Sequence, residues 1–285
     1  MANLIGNEDL FASAGRYGYF HPSYAEAFTD AGEVRHLRRS VTFLLTRPIP
    51  ASESRDALVG YPLLVSRDAR GLPEDLRETA ALADVVSITA LTDPLASLDE
   101  ELLRPAFPDL VRVEARHYVA DLVSFWPARH HRRAVRDALG RVDVEVEVAP
   151  ASFVARWAAL TDSALPGAEL GLSPEGLARQ MALPGCVAFT VMAEDGPVAL
   201  AVVYVNGNDA TLHAMASSGE GEALGARFAL VQAIAEDMAG RGLHRLDLGA
   251  VEADPGFMEG WTEDVRPSYR CGRIVDRVVY DELTA

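Results

Sequence analysis

The chain contains no lysine, and all 26 of its Lys and Arg positions are arginine. Schiff-base enzymes need a lysine amine, Walker A loops need a lysine on the phosphates, and protein kinases need one for ATP. The sequence therefore argues against these three classes together. It also has no G-x-S-x-G, H-E-x-x-H or C-x-x-C motif, so nothing indicates a serine hydrolase or a zinc enzyme.

Cysteine is almost as scarce, with Cys186 and Cys271 alone and no metal-ligand spacing between them. We expect two reduced thiols and no metal site. No run reaches about 18 apolar residues, and the first residues have no basic region before an apolar run. The expectation is a cytoplasmic protein with no export signal and no membrane partner.

Acidic residues dominate the charge, giving a formal net charge of −16 and an isoelectric point near 4.8. A field of that sign opposes polyanions at long range, so we expect no DNA partner. Any phosphate-bearing ligand requires a local basic patch on this background.

A length of 285 residues, 49% hydrophobic and 24% charged, suits two linked globular units. We place the first domain at residues 1–120 and the second at 121–285. In the first, apolar runs and turn residues predict a helix at 23–31, strands at 34–47, 58–65, 85–91 and 111–122, and a short helix at 98–103.

The second part has a clearer order of elements. Residues 142–148 alternate strictly between apolar and polar, which is typical of a half-buried strand, and Ser173 followed by Pro174 predicts a helix start. The remaining patterns predict a basic helix at 126–139, a helix carrying Phe153, Trp157 and Leu160, strands at 187–193, 198–206 and 210–217, a long helix at 222–241, and strands at 243–251 and 274–280.

This order of hairpins, central strand, glycine-containing loop, long helix and strand is similar to the core of GNAT acyltransferases. Within that superfamily the chain resembles the Fem-type group over about residues 118–266. Arg129-His-His-Arg-Arg-Ala-Val-Arg136, followed by Val142-Asp-Val-Glu-Val, is similar to the group's basic helix and following strand. The segment Gly240–Gly249 is similar to its G-x-x-x-x-D-L-G strand. Fem-type relatives usually place Phe-Lys after this strand, where this chain has Gly260-Trp261.

The resemblance implies an α/β (α+β) fold of tandem GNAT-like domains, the first degenerate, each a mixed, mostly antiparallel sheet flanked by helices. It implies an N-acyltransferase without a bound cofactor that moves an aminoacyl group from aminoacyl-tRNA to the amine of a small molecule or peptide, in antibiotic or cell-wall biosynthesis. Two alternatives stay open: an acyl-CoA-dependent N-acyltransferase, and a non-catalytic binding module on the same scaffold.

The basic helix is the first candidate binding site. Arg129, Arg132, Arg133 and Arg136 recur at three- and four-residue spacing, so they share one helix face, to which His130 and His131 add conditional charge. Such a face binds the phosphates of a donor bidentately. The alternative is a solvated face paired with the chain's many acids.

Two residues of the central strands are the catalytic candidates. Thr211, His213, Met215 and Ser217 alternate along one strand, and Asp247 lies between two leucines on the next. His213 would act as the base that takes a proton from the attacking amine, and Asp247 would orient that amine. Each has a structural alternative, a core histidine and an arginine partner respectively. Ser217, Glu252 and Tyr269 are further candidates for the cleft.

The loop 217–225 joins that strand to the long helix, where GNAT enzymes bind the coenzyme A pyrophosphate. Gly219 and Gly221 allow a close approach, whereas Glu220 and Glu222 would repel phosphate. The loop is either an acyl-CoA site or an ordinary helix entry.

Overall fold

The computed structural model describes residues 18–66, 68–80, 84–96, 98–148, 152–161, 167, 172–250 and 255–285. They form two compact units, the first made of Tyr19–Arg116 and Pro267–Ala285 and the second of His117–Arg266 with Gly18. The change of unit after Arg116 lies close to the expected boundary at residue 120. The C-terminal segment differs from expectation, since Pro267–Ala285 belongs to the first unit.

The described strands are β1 (Glu33–Leu37), β2 (Thr42–Pro48), β3 (Arg55–Val59), β4 (Val85–Leu91), β5 (Leu110–Asp121), β6 (Asp143–Val148), β7 (Cys186–Ala193), β8 (Gly196–Asn206), β9 (Asp209–Ser217), β10 (Arg245–Ala250) and β11 (Val265–Ile274). The described α-helices are α1 (Pro22–Glu26), α2 (Leu72–Thr79), α3 (Glu100–Leu103), α4 (Arg129–Leu139), α5 (Phe153–Leu160), α6 (Pro174–Met181), α7 (Gly219–Leu224), α8 (Ala226–Gly240), α9 (Pro255–Met258) and α10 (Arg277–Thr284). No described helix is long and apolar enough to cross a membrane.

Each unit contains a mixed, mostly antiparallel sheet, as the expected fold class requires. In the first unit the strand order is β1-β2-β3-β4-β11, with one parallel pair between β3 and β4. In the second unit the order is β5-β10-β9-β8-β7-β6, with one parallel pair between β9 and β10. The α/β prediction is confirmed.

Four predicted elements differ from the structure. The strand expected at 58–65 is wrong beyond Val59, where β3 ends. The strand expected at 34–47 is wrong: it is the hairpin β1–β2, whose turn is held by the Asp75 carboxylate, which accepts hydrogen bonds from the Ser40 N–H at 2.8 Å and the Ser40 hydroxyl at 2.7 Å. The strand expected at 274–280 is also wrong, because Asp276 caps helix α10 by accepting from the Val279 N–H. The long helix expected at 222–241 is divided at Gly225, which has a left-handed φ of 73°.

Helix α8 covers one face of the second sheet. Leu230, Val231, Ile234 and Met238 are fully buried in a cluster that also contains alternate residues of β7 and β8. Burying such a side chain is worth about 1.5–3 kcal/mol. This packing leaves the opposite face of β8, β9 and β10 for other contacts, and that face carries the candidate site.

Candidate active site

Strands β9 and β10 part in the middle of the second sheet. Their parallel pairing joins Asp209–Thr211 to Arg245–Asp247, and the last pair is Thr211 with Asp247. Beyond this pair β9 continues to Ser217 against β8 alone, and β10 continues to Ala250. Two polar residues therefore lie where the two central strands separate.

Alternation along the strands places these polar residues on one face. Leu246 and Leu248 belong to the cluster under α8, so Asp247 between them points to the opposite face. Thr211 lies between Ala210 and Leu212, which pack toward α8, so it shares the face of Asp247. We call this surface of Tyr204, Thr211, His213 and Asp247 the polar face.

Asp247 makes a paired contact with a histidine of the neighbouring strand β5. The Nδ1 atom of His117 lies 3.1 Å from each carboxylate oxygen of Asp247, and the two residues are 8% and 1% exposed. Because a carboxylate only accepts hydrogen bonds, Nδ1 carries a proton in this contact, and Nε2 is the nitrogen that accepts whenever the ring is neutral. A histidine held in this tautomer by a buried carboxylate is the arrangement of a general base.

The Asp-Leu-Gly motif of β10 builds this pair. Gly249 donates its N–H to the Asp247 carboxylate at 2.9 Å and has a φ of 104°, which favours glycine. The pairing of β10 with β5 shifts register between Asp247 and Ala250, and Ala250 is opposite His117. No sequence pattern indicated His117, because 130 positions separate it from its partner.

His213 lies on the polar face at a β-bulge. Val203 pairs with Leu212 and Val202 with Ala214, so His213 is the extra residue between them. Its ring meets the Tyr204 ring edge to face at a centroid distance of 5.1 Å, and the side chain is half-buried. Burial lowers the pKa of His213 to about 4, which keeps the imidazole neutral but makes it a weak proton acceptor.

The bulge corrects the expected alternation. Thr211 and His213 do share a face, but Met215 packs toward α8 with Ala201, its cross-strand partner. Ser217 follows Met215 by two positions and faces away from His213. The expectation that Ser217 shares the face of His213 is therefore wrong.

The loop that follows β9 is closed by its own contacts. The Ser218 hydroxyl accepts the N–H of Gly221 at 3.1 Å, which caps the six-residue helix α7. Gly221 packs against the carbonyl of Val198 and the Ser217 hydroxyl. The space left by its missing side chain is therefore filled by protein atoms and is not open to a phosphate. With Glu220 and Glu222 in the first turn, the loop is a poor match for a pyrophosphate.

Helix α4 presents its arginines away from the core. His131, Val135 and Ala138 form its buried face, and Arg129, Arg133 and Arg136 are exposed on the other side. Arg132 lies over the ring of Trp126, with its guanidinium carbon 4.2 Å from the ring centroid. We call Arg129, Arg132, Arg133 and Arg136 the basic face; its role in donor binding stays a prediction.

His131 departs from expectation, since it adds no charge to the basic face. It is 2% exposed, its Nε2 donates to the carbonyl of Phe257 at 2.6 Å, and burial lowers its pKa. Its ring stands edge to face against Trp261 and lies on the Cα of Gly260, where a side chain would overlap it. Gly260 and Trp261 thus pack together against a buried imidazole.

Tyr269 and Glu252 are the remaining candidates for the cleft. Tyr269 belongs to the first unit, where its backbone bonds Thr92 and its half-buried ring packs on the core of that unit. Glu252 lies outside the described residues. Cys186 and Cys271 are buried, and burial raises the pKa of each thiol to about 12. Among the described residues, no three His, Cys, Asp or Glu side chains are grouped as metal ligands.

No protein-family model matches the chain, and no curated protein matches it in sequence. Solved structures do match over nearly the whole length. FemX superposes with a TM-score of 0.72 over 99% of each chain, at 13% identity. The C-terminal DUF2156 domain of a proposed lysylphosphatidylglycerol synthetase from Agrobacterium fabrum gives 0.62 over 98% of this chain and 96% of its own, at 14% identity.

L-PGS from Bacillus licheniformis gives a TM-score of 0.58 over 98% of this chain and 94% of its own, at 14% identity. At these identities the likeness concerns the fold, and it agrees with the resemblance carried by the basic helix and the Asp-Leu-Gly strand. The chain has the fold shared by FemX and these two synthetase structures.

Proposed function

We propose that the chain is an N-acyltransferase in which an amine attacks the ester carbonyl of an aminoacyl-tRNA and forms an amide. The observation that carries this proposal is the buried His117–Asp247 pair beside the point where β9 and β10 part. The pair fixes which ring nitrogen of His117 can act as a base, and the cross-strand partner of Asp247 is Thr211 on the same polar face. The Thr211 hydroxyl is buried and has no hydrogen-bond partner among the described residues.

The chemistry requires one proton transfer and no covalent enzyme intermediate. The amine nitrogen forms a bond to the ester carbon while His117 Nε2 takes the proton of the amine. Asp247 stabilises the imidazolium that results. The ester C–O bond then breaks, and the departing ribose oxygen of the tRNA takes the proton back from His117.

Covalent catalysis by a thiol or an amine has no support in this chain. Both cysteines are buried with raised pKa values, so neither supplies a thiolate at neutral pH. The absence of lysine leaves no side-chain amine for a Schiff base. Direct attack is the route that remains consistent with these residues.

The choice of donor rests on two phosphate-binding candidates. The entry to α7 is self-capped and acidic, which disfavours the pyrophosphate of an acyl-CoA. The basic face offers four arginines on one side of α4, and guanidinium groups bind phosphate strongly. This contrast favours a tRNA donor over acyl-CoA.

The acceptor we propose is the amine of a small molecule or peptide, as in antibiotic or cell-wall biosynthesis. The DUF2156 neighbour is named for the synthesis of a lysyl lipid, so phosphatidylglycerol belongs in the acceptor set as a comparison. The intact His117–Asp247 pair weighs against a non-catalytic binding module.

A donor screen tests the proposal. Purified protein is incubated with charged tRNAs or with acyl-CoAs, each with amine, peptide and lipid acceptors, and products are identified by mass spectrometry. We expect the wild type to form an amide from a charged tRNA. The His244→Gln variant, a control at an exposed histidine, should form the same amide, and His117→Gln should not. If an amide forms from acyl-CoA alone, the donor is acyl-CoA and the proposed tRNA donor is wrong. If no donor gives a product, the result favours a non-catalytic binding module.

Charge reversal tests the basic face. Arg133→Glu and Arg136→Glu together leave the Arg132–Trp126 contact in place. Arg241→Glu is the control directly after α8, where that arginine pairs with Asp237. We expect weaker tRNA binding in the double variant, with the slope of log K against log salt reduced by about one for each phosphate that the variant no longer binds. Unchanged affinity and slope would remove the basic face from the proposal.

A further inference from the structure

An exposed tryptophan lies at the edge of the basic face. Trp126 is 74% exposed, whereas Trp157 and Trp261 are 5% and 3% exposed. Exposing an indole to water forgoes the burial free energy that an aromatic ring of this size normally contributes. An exposed tryptophan beside four arginines therefore indicates a ligand-binding surface.

The segment that carries Trp126 is fixed on both sides. Asp121 accepts the N–H of Val123 at 2.9 Å and the hydroxyl of Ser124 at 2.7 Å. The ring of Phe125 stacks on that of the buried Trp261, with 8° between the ring planes. The exposure of Trp126 is thus built into an ordered turn and does not come from a loose loop.

One face of the indole is already occupied. The guanidinium of Arg132 lies over the ring at 4.2 Å, a cation–π contact that fixes the ring plane. Beside it a groove of about 550 Å³ runs between this turn and α8, lined by Leu122, Phe125, Trp126, Arg132, Gln232 and Glu236. A planar ligand has room to stack on an oriented ring there.

The groove wall on α8 is formed by Gln232, Ala235, Glu236 and Ala239. The Gln232 amide donates to Glu236 at 2.7 Å, and the amide oxygen of Gln232 and the second carboxylate oxygen of Glu236 are further acceptors. Exocyclic amino groups of adenine and cytosine are donors for such acceptors. The Glu236 carboxylate would repel any phosphate placed inside the groove, so the groove suits a base and leaves the phosphates to the basic face.

We propose that this groove binds an unpaired nucleobase of the RNA donor, stacked on Trp126, while the basic face binds the adjoining phosphates. The inference rests on the proposed tRNA donor and adds a site of stated chemistry to it. Base stacking on an aromatic side chain is tolerant of sequence and is lost when the side chain is truncated.

Two measurements on the full-length protein test the site. The probe is a dye-labelled single-stranded RNA ending in CCA, the shared 3′ end of tRNA, and the comparison is an abasic phosphodiester of equal length. We expect Trp126→Ala to weaken RNA binding, measured by anisotropy, by roughly 5- to 150-fold, and Trp126→Phe to retain most of the affinity. Because Trp126 is the exposed tryptophan, unlabelled RNA should quench the intrinsic fluorescence and the abasic chain should not.

The opposing outcomes are distinct. Equal binding of RNA by wild type and Trp126→Ala, or equal binding of RNA and the abasic chain, overturns the stacking site. Binding to phosphatidylglycerol vesicles that depends on Trp126, without quenching by RNA, assigns the groove to a membrane and also overturns it. If wild type and Trp126→Ala transfer equally well from charged tRNA, the site fails and the proposed function stands, whereas the absence of any transfer from tRNA removes the proposed function.

Discussion

Replacing Asp247 by asparagine tests the tautomer on which the chemistry depends. In the structure, the Asp247 carboxylate accepts from His117 Nδ1 at 3.1 Å and from the Gly249 N–H at 2.9 Å. An asparagine oxygen can keep the Gly249 contact, but its NH₂ group then faces His117. The imidazole must accept at Nδ1 and carry its proton at Nε2, so the atom that should take the proton of the amine is no longer basic.

The expected cost is the loss of general-base catalysis, roughly 10²- to 10⁴-fold in kcat, with KM changed far less. Initial rates of amide formation at saturating donor measure it, and urea unfolding shows that the nearly isosteric variant is folded. Asp209→Asn is the matched control, since that carboxylate pairs with Arg245 on the neighbouring strand at 2.6 Å and lies at the other end of the pairing between β9 and β10. A kcat for Asp247→Asn within a few-fold of wild type would refute the reasoning.

Three further predictions concern packing, thiols and pH. Gly260→Ala should lower the free energy of unfolding by about 1–3 kcal/mol, because the new methyl overlaps the His131 ring, and the cost should nearly vanish in a His131→Ala background. Cys186→Ser with Cys271→Ser should keep the specific activity, and inactivation of wild type by an alkylating agent would contradict this. Burial lowers the pKa of His213 to about 4, so the unfolded chain binds more protons between about 6.5 and 4 and stability falls as the pH drops through that window. His213→Gln should show a smaller drop in its urea midpoint from pH 7 to pH 4.5 than wild type.

Local signals predicted those parts of the fold whose contacts are local. The apolar run at 85–91 is strand β4, the alternating segment forms β6, and the Ser173 hydroxyl caps α6 on the N–H of Gly176. One error arose where a distant group decides the backbone. The turn between β1 and β2 depends on Asp75, which is 35 positions from Ser40 and carries no signal near the turn.

The candidate site was predictable only in part for the same reason. The Asp-Leu-Gly strand indicated Asp247, and the helical spacing indicated the basic face. His117 depends on the register of β5 against β10, and the bulge at His213 changes which later residues share its face. Neither feature has a sequence pattern of its own. The Asp276 cap of α10 was readable in the sequence, and the apolar residues after it misled the prediction.

The most direct test of the central claim compares two histidines in one experiment. Single-turnover transfer from a charged tRNA is measured with His117→Gln and with His213→Gln, each checked for folding by urea unfolding. If His117 is the base, His117→Gln lowers the rate of amide formation by roughly 10²- to 10⁴-fold and His213→Gln leaves it within a few-fold of wild type. The reverse order, or two rates equal to that of wild type, would contradict the account.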